Sequence, residues 1–105
     1  MAGKMVKHII LWKLKDNLSE EEKKSVKIGA KAGLESLQGK IPGLLKISVR
    51  IEGLDSSNAD MMLDCDFEDE ASLKGYALHP EHNAVANAKV RPYTQTRLCL
   101  DYTEK

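Results

Sequence analysis

The segment Gly75-Tyr76-Ala77-Leu78-His79-Pro80-Glu81-His82 gathers a phenol and two imidazoles into one short run of a chain that has only three histidines and three tyrosines. The remaining histidine, His8, interrupts an apolar, strand-like stretch. Imidazole titrates near neutrality and a phenol donates a hydrogen bond while keeping its proton, so the set can move protons without metal or redox cofactor. No cofactor is expected on this reading. Each residue also has a structural role open to it. His8 serves equally as a core histidine whose nitrogens are satisfied by neighbours. Tyr76 is amphipathic and suits the mouth of a cavity. His79, before proline, helps to end a helix, and His82 projects from a helix start, where the dipole favours neutral imidazole. His8, His79 and His82 lack the thiolate partners usual in zinc sites, so no metal is expected either.

Composition narrows the classes these residues can serve. A chain of 105 residues makes one domain, residues 1–105, with a single core. Sixteen basic and sixteen acidic side chains cancel, leaving no global field to draw nucleic acid or an anionic membrane. Aromatic residues at 5% argue against a base-stacking surface. The start Met1-Ala2-Gly3-Lys4 lacks a signal peptide's apolar region, and no run approaches the roughly 20 apolar residues of a membrane span. The cytoplasm is the expected compartment.

Two strand–helix halves must position the candidate residues. Met5 to Lys15 reads as a strand with Val6, His8, Ile10, Trp12 and Leu14 on one face and Ile9 and Leu11 on the other. Ser19 with Glu22 forms a capping box, and Val26, Ala30, Leu34, Leu37 and Ile41 give a helix stripe that ends at Pro42-Gly43. Leu45, Ile47, Val49 and Ile51 alternate in a second strand, and Met61, Leu63, Cys65 and Phe67 in a third. Glu68 to Leu78 reads as a helix checked at His79-Pro80, with a continuation from Glu81 to Val90. Thr94 to Tyr102 is the last strand. Trp12 and Met61-Met62 read as core filling. Cys65 and Cys99 fall on strands that flank the first, about 9.6 Å apart, so both are expected as free buried thiols.

The order βαββαβ predicts an α+β, ferredoxin-like fold: a four-stranded antiparallel sheet, first and third strands central, helices on one face. Ile9, Leu11, Leu98 and Leu100 then leave apolar groups on the bare face, which predicts a homodimer packed sheet on sheet.

The segments Val6-Lys7-His8-Ile9-Ile10-Leu11, His79-Pro80-Glu81-His82 and Leu100-Asp101-Tyr102, set in this frame, resemble the stress-responsive dimeric α/β-barrel (Dabb) domain over nearly the whole chain. The resemblance implies paired sheets closing a dimeric α/β barrel, and most members of that family have no known reaction. One plant branch, olivetolic acid cyclase, carries out a cofactor-free aldol cyclisation of a linear polyketide, and its proton-handling residues match His8, Tyr76 and His82. Where that branch places adjacent phenylalanines, this chain has Val26 and Lys27, and Arg97 and Cys99 replace aliphatic residues on the last strand. The alkyl tunnel is therefore not kept. Two readings follow. One is a small stress-responsive homodimer whose pocket, lined by Ile10, Trp12, Leu63, Cys65, His79 and Arg97, takes a small carbonyl or carboxylate ligand. The alternative is a cofactor-independent cyclase, lyase or isomerase in which His82 takes a C–H proton, Tyr76 donates to an enolate oxygen and His8 polarises the same group.

Overall fold

The computed structural model describes residues 4–104. The lead-in Met1–Gly3, which bears on the signal-peptide reading, lies outside the described residues. Along the chain come β1 (Val6–Leu14), α1 (Glu20–Glu35), β2 (Leu44–Arg50), β3 (Met61–Phe67), α2 (Glu70–Leu78), α3 (Pro80–Val85) and β4 (Thr94–Thr103). A π-helical turn over Ala86–Val90 and a 3₁₀ turn over Arg91–Tyr93 link α3 to β4. The sheet is antiparallel with order β2-β3-β1-β4, the ferredoxin-like arrangement, with β1 and β3 central.

Alternation along the central strands decides what is buried. Val6, Ile10, Trp12 and Leu14 of β1 and Met61, Leu63, Cys65 and Phe67 of β3 point to the helices and form the core with Leu34 and Leu37. On the opposite face, Lys7 Nζ donates to Asp64 Oδ1 at 2.7 Å and Asp66 Oδ1 at 2.5 Å. Those two hydrogen bonds hold the ammonium well above its ordinary pKa.

α1 starts as its sequence dictates. Ser19 Oγ accepts from the Glu22 amide at 3.1 Å and Glu22 Oε1 accepts from the Ser19 amide at 2.8 Å. It stops at Glu35, short of the Ile41 expected from periodicity. Side chains after that point serve β2: Glu35 Oε2 accepts from the Val49 amide at 2.9 Å, and Gln38 Oε1 accepts from the Ile47 amide at 3.2 Å. The Ser36 hydroxyl also donates to the Gly33 carbonyl at 2.6 Å, competing with helical bonding there. Leu37 and Ile41 remain buried, but from a run of turns. A second difference lies in β2, where Leu45 points to solvent although its place in the alternation predicts burial. The register slips between Leu44 and Lys46, so Leu44 takes the inward position.

β4 is an edge strand on which no residue is fully buried. Cys99 is accordingly exposed, correcting the expectation of two buried thiols, whereas Cys65 is buried; both are free.

Candidate functional site

Strand register places His8 and Asp101 as direct partners across the β1–β4 pair. His8 Nδ1 donates to Asp101 Oδ1 at 2.5 Å, which fixes the imidazole and leaves its Nε2 edge for the interior. Cys99, two residues back on the same face of β4, donates its thiol to Asp101 Oδ1 at 3.4 Å. Burial and the Asp101 carboxylate raise the pKa of that thiol. The His8 ring meets Phe67 and Tyr76 edge-on, with centroids 6.3 and 5.9 Å away.

The α2–α3 corner supplies the other two groups. His79 has φ −68° and ψ 131°, the extended conformation favoured before proline, so α2 ends and Pro80 opens α3. His79 Nδ1 caps the new helix by accepting from the Glu81 amide at 3.1 Å, and Asn83 Nδ2 donates to the Ala77 and His79 carbonyls at 3.2 Å. The tied corner turns His82 back onto Tyr76, ring centroids 4.1 Å apart.

His8, Tyr76 and His82 line one cavity of roughly 150 Å³ between the helices and the sheet. Ile10, Trp12 and Leu63 form its floor, and Arg91, Thr94 and Arg97 stand around it. His8, Leu73, Ala77 and Arg97 also line an outer groove of roughly 640 Å³ between α2 and the helix-facing side of β4, so the two spaces adjoin. Tyr76 is only 2% exposed, yet its Oη has no hydrogen-bond partner, and neither has the buried Nδ1 of His82. The Cys65 thiol is near enough to the phenol to influence it but completes no regular hydrogen bond.

Electrostatics give these groups distinct characters. Burial, then the Arg91 guanidinium, His8 and Arg97, hold His82 down to about 4, with the Ala77 backbone working the other way. At neutral pH it is a neutral imidazole with a lone pair to offer. Burial and the neighbouring Cys65 push the Tyr76 phenol far above its usual value, making it a donor only. Burial also pushes Cys65 up to about 12, an inert thiol.

Of the residues that the sequence nominates for the pocket, Ile10, Trp12, Leu63 and Arg97 line the cavity and two do not. Cys65 is fully buried in the core, and His79 is spent on capping α3. Sequence reasoning passed over Asp101, Arg91 and Phe67 as site groups. Asp101 was visible in principle, because it continues the Arg97, Cys99 alternation on β4. A metal could be held only loosely here. His8 Nδ1, Cys99 Sγ and Asp101 Oδ1 lie within 4.8 Å of one another, but a cation would have to displace both the thiol proton and the His8–Asp101 hydrogen bond.

Topology and pocket define a ferredoxin-like α+β protein with a polar-lipped interior cavity. The chain belongs to the stress responsive A/B barrel domain family, whose sequence model matches residues 6–104. A dimeric protein of unknown function with a ferredoxin-like fold from Bacteroides fragilis is 35% identical with TM-score 0.89, over 95% of this chain and 96% of that one. A dimeric ferredoxin-like protein of unknown function from Thermobifida fusca is 25% identical with TM-score 0.78, over 97% and 92%. A hydroxynitrile lyase from Passiflora edulis, 18% identical with TM-score 0.72 over 97% and 94%, shares the fold alone. No curated protein matches the chain.

Proposed function

We propose that this protein is a small-ligand-binding homodimer whose ligand enters the cavity bounded by His8, Tyr76 and His82. One observation carries the reading: Tyr76 Oη and His82 Nδ1 are both buried and unpartnered on the wall of a single cavity. Orphaned polar atoms cost stability unless something hydrogen-bonds to them, and a cavity of this size accepts a molecule about as large as benzene. The ligand therefore offers an acceptor to the phenol and a donor or electrophilic hydrogen to the imidazole. Dimeric relatives of the same fold support the paired state.

A second reading is cofactor-independent proton transfer on a small carbonyl compound. The His8–Asp101 pair favours it, because a carboxylate behind an imidazole fixes the orientation of that ring toward the bound group. Tyr76 would donate to the developing oxyanion and His82 would accept the proton.

Ligand titrations of wild type and Tyr76→Phe by two-dimensional NMR test the first reading. Wild type should show saturable shifts at His8, Tyr76 and His82 with small carbonyl compounds, and Tyr76→Phe should weaken them about tenfold. Shifts confined to residues outside the cavity would overturn the assignment. Deuterium exchange at the ligand's acidic C–H, present in wild type and lost in both Tyr76→Phe and His82→Ala, is what catalysis requires in addition.

A further inference from the structure

The cavity wall carries charge of one sign. Arg91 and Arg97 line it, and no Asp or Glu does among the described residues. Neither guanidinium forms an ion pair among the described residues. Arg91 Nη1 is instead held by neutral partners, Asn87 Oδ1 at 2.7 Å and Asn83 Oδ1 at 3.3 Å, which orient it without cancelling its charge. The carboxylates of Glu70 and Asp101 line the outer groove instead, and Asp101 is engaged by His8 Nδ1. Arg97 lines both spaces, so it stands where a ligand passes from groove to cavity. Behind it lie the two orphaned groups of Tyr76 and His82.

We infer, on the reading that this cavity takes a ligand, that the ligand is a small oxo-carboxylate: its carboxylate on Arg97, with Arg91 adding positive potential, and its carbonyl oxygen on Tyr76 Oη. Arg offers a planar fork that matches a carboxylate, and a wall that carries two guanidiniums and no carboxylate attracts an anion over a neutral ligand. The apolar floor of Ile10, Trp12 and Leu63 fits a short hydrocarbon body. Bound anionic charge also offsets part of the positive field at His82. The charged or titratable groups facing that ring are Arg91, Arg97, His8 and the adjoining Tyr76, and a carboxylate among them favours the imidazolium. Binding should therefore be accompanied by a rise in the His82 titration midpoint.

The test compares pyruvate with pyruvamide, which has the same number of non-hydrogen atoms but no charge, on the full chain at constant ionic strength. Pyruvate is expected to bind at least about tenfold more tightly, the usual weight of a charge-assisted hydrogen bond, and to raise the His82 midpoint by about one unit in NMR titration. Arg97→Gln should remove the preference by weakening pyruvate about tenfold while leaving pyruvamide unchanged, and Arg97→Lys should restore part of it. Arg97 is exposed, so these variants should keep the wild-type amide spectrum. Equal affinity for the two probes overturns the oxo-carboxylate inference but leaves the cavity as a binding site. Failure of both probes to bind at tens of millimolar overturns the inference too, and the Tyr76→Phe titrations with neutral carbonyl compounds then judge the cavity separately.

Discussion

At the scale of single residues the decisive fact is an unsatisfied one. A phenol buried without a partner costs the folded protein about 1–3 kcal/mol relative to a satisfied group, so Tyr76→Phe should leave the ligand-free protein equally stable or about 1 kcal/mol more stable. Chemical denaturation reads this directly. A loss of more than about 1 kcal/mol would show that the hydroxyl has a structural partner, with Cys65 the nearest candidate. His82 makes the complementary prediction in pH. Its midpoint is about 4 in the folded chain against 6.5 when unperturbed, so between those values the unfolded chain takes up a proton that the folded one refuses. Stability should fall as pH drops from about 6.5 to about 4 and level off below. The ring is only half-buried, which trims the effect to about 1–2 kcal/mol. His82→Gln should flatten that part of the stability–pH curve, and an unchanged slope would refute the burial of a neutral imidazole. The sequence made His8, Tyr76 and His82 conspicuous because their residue types are rare here and suited to proton transfer. It did not disclose Arg91, whose approach depends on the π-helical and 3₁₀ turns that follow α3. Side-chain periodicity does not distinguish those turns from an ordinary helix end.

At the scale of elements, two glycines separate packing from propensity. Gly75 sits inside α2 with helical backbone and nothing within 4 Å of an added Cβ. Gly75→Ala should therefore stabilise the protein by about 0.5–1 kcal/mol through helix propensity and a less flexible unfolded chain. Gly33 in α1 is the opposite case, since an added Cβ would lie 2.9 Å from Val85 Cγ1. Gly33→Ala should destabilise by about 1–2 kcal/mol as α1 is pushed off the segment that carries His82. Thermal unfolding of the pair decides the matter, and a stabilised Gly33→Ala would mean that the two helices have room to part. The same elements show where sequence reading succeeds. Strict alternation made β1 and β3 legible almost residue by residue, because one face of each meets the core. The end of α1 was not legible, because Leu37 and Ile41 keep helical spacing while Glu35, Ser36 and Gln38 divert their hydrogen bonds to β2 and to the helix's own last turn. The inward turn of Leu44 was hidden for a related reason. A single bulge reverses the side-chain alternation, and β2 shows no glycine or proline to announce it.

At the scale of the whole molecule, one face of the sheet has no covering layer. Ile9 pairs with Leu100 and Leu11 with Leu98 across β1 and β4, on the side away from the helices. In the single chain Leu11 is 38%, Leu98 61%, Leu100 64% and Tyr102 42% exposed. Each leucine moved out of water contributes at most about 1.5–3 kcal/mol, and a two-fold pairing uses every one of them twice. The Lys7–Asp64–Asp66 cluster bounds the patch on the β3 side, with two carboxylates sharing one ammonium and one negative charge left over. A homodimer packed sheet on sheet would cover the apolar strip and leave the candidate cavity, on the opposite face, open in both subunits. The expected interface is about 1,200 Å² or more in total. Leu98→Asp should convert the dimer to monomer or aggregate in size-exclusion chromatography with light scattering, because burying an unpaired carboxylate outweighs what the leucine contributed. Leu78→Asp is the matched control: this residue is 81% exposed at the end of α2, away from the strip, so its loss should leave the mass unchanged. Wild type running as a monomer at micromolar concentration would sink the pairing, and dissociation by both variants would point to an interface that includes the helices rather than the bare face of the sheet.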